Sequence, residues 1–154
     1  MSAAPIVSRE CFRLFLDGDV LIVVLRNCDE SPSINYHVLS ALFDAMKQVV
    51  TDHGLTKSGW HVVYDFSAVT DYEITAAMAF PNFYRWARAN GRSKAAHILP
   101  RQDDGDKVEI VKRMILGQVA PAGSDDNHYT AHDRADALAW IAQMKAAGAG
   151  KDRP

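Results

Sequence analysis

The stretch VLIVVL at residues 20–25 decides the fold class, because every position in it is apolar. A strand that is apolar on both faces is typical of a parallel sheet that helices cover on two sides. This stretch is also the longest apolar run of the chain, and it is far shorter than the roughly 20 residues that span a bilayer. The sequence therefore predicts an inner strand and no transmembrane segment.

The residues before this stretch predict an antiparallel partner strand. Phe12, Leu14 and Leu16 occupy alternate positions, as in a half-exposed strand. The Asp-Gly-Asp sequence at residues 17–19 has the composition of a tight turn. We expect an N-terminal β-hairpin whose first strand lies at the edge of the sheet.

The residues after it alternate between helical and strand patterns. The predicted strands are residues 60–66, 94–99 and 128–131, and the predicted helices are residues 34–53, 74–89, 107–116 and one that begins after Asp133. Pro81 either kinks the second helix or begins a new segment. This order predicts an α/β fold with a single, mostly parallel sheet, an N-terminal β-hairpin and four helices.

The length of 154 residues indicates one domain. The 17 basic and 19 acidic residues give a net charge of −2, and no basic stripe is present that would bind nucleic acid. The predicted domain covers residues 11–145, between a flexible N-terminus at residues 1–10 and a disordered tail at residues 146–154. The start of the chain lacks the pattern of a secretory signal, so we expect a cytoplasmic protein in which Cys11 and Cys28 are free thiols. No motif indicates a metal or a cofactor.

A family resemblance appears at residues 64–73, YDFSAVTDYE. This segment resembles the strand-to-helix turn of STAS domains, the fold of the SpoIIAA-like anti-sigma-factor antagonists. The pattern of that family is Asp-apolar-Ser-x-Val, a short loop, and then Asp-Ser-x-Gly. Residues 128–141 are similar to the closing strand and acidic-capped helix of the same family. The resemblance implies a SpoIIAA-like fold over about residues 12–144.

The same resemblance implies a non-enzymatic module that regulates by binding a partner protein, such as a sigma-factor regulator or a kinase. In that family a Ser at the helix start is phosphorylated, and Ile74 occupies the corresponding position here. Isoleucine accepts no phosphoryl group, so the usual switch is not expected. Thr75 is either a displaced phosphoacceptor or an ordinary residue at a helix start.

We expect the partner to bind beyond the carboxyl ends of the parallel strands, as ligands of open α/β sheets do. The predicted contact residues are Asp65, Ser67, Asp71, Glu73 and Thr75. Acidic residues at these positions also have a purely structural explanation, because carboxylates stabilise the N-terminal ends of helices. No catalytic residue is predicted.

Other functions would use the same edge of the sheet. A small-ligand carrier, a lipid carrier or a small enzyme would need a deep pocket there, lined by Asn27, Cys28, Ser67 and Asp71. A receiver domain would use Asp65 in a phosphorylation pocket, but residues 128–133 lack the lysine that this pocket needs.

Histidines and aromatic residues give weaker patterns. His61 and His97 lie in predicted strands and are interpreted as structural, and the pair His128 and His132 would need a third ligand to bind a metal. An aromatic cluster on the second helix is a candidate homodimer patch. Its members are Phe80, Phe83, Tyr84 and Trp86.

Overall fold

The sheet contains six strands whose order in space is the same as their order along the chain. The structure is a computed structural model, and it describes residues 4–100, 113 and 127–151. Within these residues the strands are β1 (Val7–Ser8), β2 (Phe12–Asp17), β3 (Val20–Arg26), β4 (Trp60–Ala68), β5 (Arg92–Ile98) and β6 (His128–Ala131). The first three strands pair antiparallel, and β3 to β6 pair parallel. The predicted α/β class with a mostly parallel sheet is confirmed.

Helices lie on both faces of this sheet. They are α1 (Tyr36–Asp52), the short α2 (Leu55–Ser58), a 3₁₀ helix (Ile74–Ala79), α3 (Phe80–Ala89) and α4 (Arg134–Lys151). The side chain of Asn35 accepts a hydrogen bond from Val38 N at 2.9 Å and so satisfies a backbone donor at the start of α1. After α1 the chain turns at Gly54, whose φ of 68° favours glycine. Across the described ranges, no helix has the length and apolar character needed to cross a membrane.

The main core lies between the sheet and a layer formed by α1, the 3₁₀ helix and α3. Side chains of a strand alternate between its two faces, so Trp60, Val62 and Tyr64 of β4 enter this core. Val63 belongs to a second, smaller core on the opposite face, where α4 packs. We call the α1 side the inner face of the sheet and the α4 side the outer face.

The cover of β3 differs from the expected burial on two sides. Leu21, Val23 and Leu25 are buried on the inner face, whereas Ile22 and Val24 are half-buried on the other. The difference arises because α4 packs on β4, β5 and β6. The uninterrupted apolar sequence of β3 therefore corresponds to one fully covered face and one partly covered face.

The ends of the domain also differ from the prediction. Residues 7–8 form β1, with Val7 opposite Leu14, so part of the expected flexible N-terminus pairs with β2 and β2 is not an edge strand. Pairing satisfies backbone donors and acceptors that an edge would leave free. Residues 146–151, expected to be disordered, continue α4; their three alanines favour a helix, although their two glycines do not.

Two further helix predictions have different outcomes. Pro81 lies in the first turn of α3, which is the interpretation in which proline begins a new segment. The preceding residues form the separate 3₁₀ helix. The predicted helix at residues 107–116 lies outside the described residues except for Arg113.

Cys11 and Cys28 form a disulfide, which differs from the expected free thiols. Cys11 immediately precedes β2 and Cys28 follows β3, so the pairing of these two strands brings the cysteines together. Their Cα atoms lie 5.3 Å apart, within the range that a disulfide can bridge. A hydrogen bond of 2.8 Å from Arg26 N to Cys11 O holds the backbone beside the bond.

We expect reduction of this disulfide to lower the free energy of unfolding by about 3 kcal/mol, because the bond closes a loop in the unfolded chain. The two cysteines are 17 positions apart. Urea unfolding with and without a reductant measures the effect. The double variant Cys11→Ser/Cys28→Ser is the control, and its free energy of unfolding should be the same with and without the reductant. If the reductant did not change the free energy of unfolding of the wild type either, the cysteines would be free thiols in solution, and the disulfide would be contradicted.

Candidate functional site

The end of β4 carries the first of the predicted contact residues, and it is tied to α4. Asp65 is 5% exposed, and its Oδ2 accepts a hydrogen bond from Arg134 Nε at 2.6 Å. Its Oδ1 accepts hydrogen bonds from the Ser67 hydroxyl at 2.6 Å and from Ser67 N at 3.1 Å. Asp65 therefore connects two elements of the fold.

These hydrogen bonds keep Asp65 ionised. Burial by itself raises the pKa of a carboxyl group, but the hydrogen bonds from Ser67 and Arg134 outweigh burial, and the pKa of Asp65 lies below its ordinary value. A carboxylate that is charged at neutral pH is a poor general acid.

The side chain of Asn27 joins the loop after β3 to the loop after β4 by hydrogen bonds. Its Nδ2 donates to Asp71 O at 2.9 Å and to Pro32 O at 2.8 Å, while its Oδ1 accepts a hydrogen bond from Thr70 N at 2.7 Å. One amide side chain therefore joins three backbone groups of the two loops.

The fastening continues to the start of the 3₁₀ helix. Ile34 N donates to Asp71 O at 3.0 Å, and Glu73 N donates to Ile34 O at 2.9 Å. Between them, the side chain of Tyr72 is buried, and Tyr72 N donates to Asp71 Oδ1 at 3.0 Å. The backbone of residues 71–73 is thus held in one position.

The 3₁₀ helix presents an exposed apolar surface. Ala76 and Ala79 face the core three positions apart, as expected for a helix with three residues per turn. Ile74 is 77% exposed and Met78 is 70% exposed. We define the turn surface as four exposed residues, Glu73, Ile74, Thr75 and Met78.

The five predicted contact residues do not share one surface. Asp65 and Ser67 are directed to the start of α4, and Asp71 is half-buried in the fastened loop. Glu73 and Thr75 are exposed on the turn surface. The sequence pattern could not separate these three locations, because it places residues near the ends of strands without showing where their side chains point.

Sequence reasoning missed Met78 and Arg134. The signal for Met78 was available, since alanines at positions 76 and 79 suit the buried side of a 3₁₀ helix and leave Met78 outside. Arg134 lies 69 positions from Asp65, and no local pattern predicts their ion pair.

The residues predicted to line a strand-end pocket have other contacts. Asn27 and Asp71 join the two loops, and Cys28 is bonded to Cys11. An open depression of about 330 Å³ does lie beside Asp65 and Ser67. Its remaining lining residues are Ile98, Asp133, Arg134 and Ala135.

The predicted dimer patch is largely part of the core. Phe80 and Phe83 are buried, and the Phe83 ring stacks on Phe43 with centroids 4.3 Å apart. Tyr84 and Trp86 are half-buried and pack against the same core. The expectation of an exposed patch is wrong for Phe80 and Phe83, because α3 turns these two rings toward α1.

Two of the histidines lie side by side on β5 and β6. The rings of His97 and His128 stack with centroids 5.5 Å apart, and His97 Nε2 lies 3.3 Å from His128 Nδ1. Burial, followed by the charges of His128 and Arg92, lowers the pKa of His97 to about 3. His97 is therefore neutral at physiological pH.

A metal site at His128 and His132 would need a third ligand, and within the described residues no group of potential ligands includes these two histidines. The group of potential ligands found there is Cys11, Cys28 and Glu30. Both sulfurs of that group are bonded to each other, so they offer no thiolate to a cation.

No protein-family model and no curated protein matches the chain.

Replacing Asp65 by Asn should lower the free energy of unfolding at pH 7 by about 2 kcal/mol, because the hydrogen bond to charged Arg134 loses its ionic partner. Urea unfolding measures the loss. The contribution of ionised Asp65 is present above the ordinary pKa of a carboxyl group and disappears as the pH falls through the lower pKa of the folded state.

The difference in free energy of unfolding between Asp65→Asn and the wild type should therefore become smaller at acidic pH. Glu73→Gln removes an exposed carboxylate and serves as the matched control, with little change expected. Equal stability of Asp65→Asn and the wild type at pH 7 would contradict this role of Asp65.

Stability should also decrease below pH 6.5, because unfolded His97 binds a proton near that pH while the folded chain resists protonation. The expected slope from this group is roughly 1 kcal/mol per pH unit down to pH 4. His97→Gln should flatten the slope in urea unfolding at several pH values, whereas the exposed control His37→Gln should not. Burial also lowers the pKa of His61, so part of the slope should remain. An unchanged slope in His97→Gln would refute the assignment.

Proposed function

We propose that the chain is a non-enzymatic, STAS-like regulatory module that binds a partner protein through the turn surface. The observation that carries the proposal is the exposure of Ile74 and Met78 at 77% and 70%. These side chains follow a backbone that Asn27 and Ile34 hold in place. Burying apolar groups on a rigid support favours association, because little conformational entropy is lost.

The chemistry of the turn surface suggests the kind of partner. Interfaces commonly have an apolar centre and a polar rim. Ile74 and Met78 supply an apolar centre, Glu73 and Thr75 supply polar groups beside it, and methionine adapts to irregular pockets. The complementary face would be an apolar groove with a basic group opposite Glu73.

An exposed aromatic residue at the start of α1 is a candidate to extend this contact area. Ile34 forms a parallel bridge with Tyr72, and two positions further along the two segments lie Tyr36 and Ile74. Tyr36 is 46% exposed. Tyrosine is enriched in interfaces because it combines a large apolar ring with a hydroxyl group.

Regulation by a kinase is part of the same proposal, with Thr75 as the acceptor. Thr75 is exposed and adjoins Ile74. A phosphate there adds about two negative charges beside Glu73 and opposes burial of the apolar centre. Phosphorylation would therefore weaken the complex. The family resemblance implies a sigma-factor regulator as the partner.

The proposal places the protein in the cytoplasm, and it assigns no reaction to the chain. In a reducing compartment the Cys11–Cys28 bond would open. The contacts of Asp65 support the proposal that the chain is not an enzyme, because both carboxylate oxygens accept hydrogen bonds from Arg134 and Ser67.

The test compares partner binding by the wild type and by the double variant Ile74→Glu/Met78→Glu. Proteins that co-purify with the wild type from a native lysate are identified by mass spectrometry, and the purified partner is then titrated against both chains. We expect the variant to bind at least about tenfold more weakly, since it places two charges in an apolar contact.

Ala142→Glu/Gln143→Glu is the matched control, because it adds charge to exposed positions of α4 and should bind like the wild type. Circular dichroism should show that all three chains are folded. Equal binding by Ile74→Glu/Met78→Glu and the wild type would overturn the proposed docking surface.

A further inference from the structure

Five polar side chains from four parts of the chain gather in or beside the core under α3. We call them the Arg92 cluster, and its members are Tyr64, Tyr72, Tyr84, Arg92 and His97. Arg92 Cζ lies 5.7 Å from the centroid of the Tyr84 ring. The rings of Tyr64 and His97 stack with centroids 5.8 Å apart. The positive charge of Arg92 also favours lower pKa values for Tyr64, Tyr84 and His97.

Each member of the cluster carries a buried polar atom that has no hydrogen-bond partner in the described structure. These atoms are the hydroxyl oxygens of Tyr64, Tyr72 and Tyr84, Nε and Nη1 of Arg92, and Nδ1 of His97. Arg92 itself is only 8% exposed. The cluster therefore combines a buried cation with several unpaired polar groups.

Such an arrangement is costly unless something accepts these hydrogen bonds. A guanidinium group stays protonated in proteins, and a buried charge without a partner costs several kcal/mol. An unpaired buried hydroxyl adds about 1–3 kcal/mol. Folded proteins pair the great majority of buried polar groups, so a concentration of unpaired ones at a single place indicates a missing ligand.

The chemistry of the cluster identifies the ligand class. None of its members is acidic. A guanidinium group only donates hydrogen bonds, and hydroxyl groups can do so as well. The complementary group is an acceptor with negative charge.

We propose that the Arg92 cluster binds a small organic carboxylate with a flat, apolar body. One carboxylate neutralises the single positive charge of Arg92, whereas a phosphate brings nearly two negative charges and would leave an excess. The ring of Phe80 lies 5.9 Å from that of Tyr84 and 6.4 Å from that of Tyr72. Aromatic surface therefore lies beside the polar atoms of the cluster, and a ligand with a flat, apolar body would suit it.

This inference goes beyond the proposed function and does not depend on it. The cluster lies in the interior, and the turn surface lies on the exterior. A variant of Ile74 and Met78 should keep the carboxylate site, and a variant of Arg92 should keep the turn surface. Failure of one proposal therefore leaves the other open to its own test.

The experiment is calorimetric titration of the full chain with benzoate, with its neutral isostere benzamide, and with inorganic phosphate. We expect saturable binding of benzoate and no measurable binding of benzamide. Arg92→Met should weaken benzoate binding about 10- to 100-fold, as expected from loss of a charge-assisted hydrogen bond. Tyr84→Phe removes one hydroxyl group and should weaken binding to a smaller degree.

Arg88→Met is the matched control, because Arg88 is exposed on α3 and should not affect binding. Without ligand, Arg92→Met should melt at or above the temperature of the wild type, since it removes an unpaired buried charge. As a measurement that needs no variant, the Arg92 Nε–H resonance of the wild type should shift when benzoate is added.

Three results would overturn the proposal. The first is the absence of saturable benzoate binding together with an unmoved Arg92 resonance. The second is equal benzoate affinity of Arg92→Met and the wild type. The third is binding of inorganic phosphate without binding of benzoate, which would contradict the carboxylate assignment.

Discussion

The parallel pairing of β3 with β4 is the constraint on which the rest of the structure depends. Its register runs from Val20 opposite His61 to Val24 opposite Asp65. Parallel strands end at the same edge of a sheet, so the loops that follow β3 and β4 emerge side by side. This is why a single side chain, that of Asn27, can bond to the backbone of both loops.

That edge determines which side chains the following 3₁₀ helix exposes. Ile34, Asp71 and Glu73 exchange backbone hydrogen bonds across the two loops. The 3₁₀ helix then starts from a fixed position and buries Ala76 and Ala79. Ile74 and Met78 remain outside because the inner side of this short helix is already filled. Rigidity and exposure of the turn surface thus have the same origin.

Two buried charges among the described residues, Asp65 and Arg92, contrast with each other. Asp65 reaches Arg134 and Ser67, and these contacts hold its pKa below the ordinary value in spite of burial. Arg92 lies under α3 beside Tyr84, without an acidic partner in the described residues. The first charge is explained by the connection between β4 and α4. For the second, the carboxylate ligand that we propose would supply the missing negative partner.

Disulfide formation and the ends of the sheet show how pairing of strands overrides local sequence. Cys11 and Cys28 have no motif spacing, but they flank the two strands of one hairpin. Val7 lies in a segment without a strong strand pattern, but the free edge of β2 offers it a partner. Both contacts arise from positions that the hairpin creates.

The sequence by itself determined the order of strands β2 to β6 and of helices α1, α3 and α4, because hydrophobic periodicity, turn residues and proline act within a few positions of the chain. It determined the inner strand at residues 20–25 and the helix that follows it, and it placed Asp65 in the strand that pairs with this inner strand. Only the tertiary structure decided that Asp65 turns toward Arg134, that Phe80 and Phe83 are buried, and that Arg92 lies beside Tyr84. Those outcomes depend on side-chain direction and on contacts between residues far apart in the chain, and neither leaves a local pattern in the sequence.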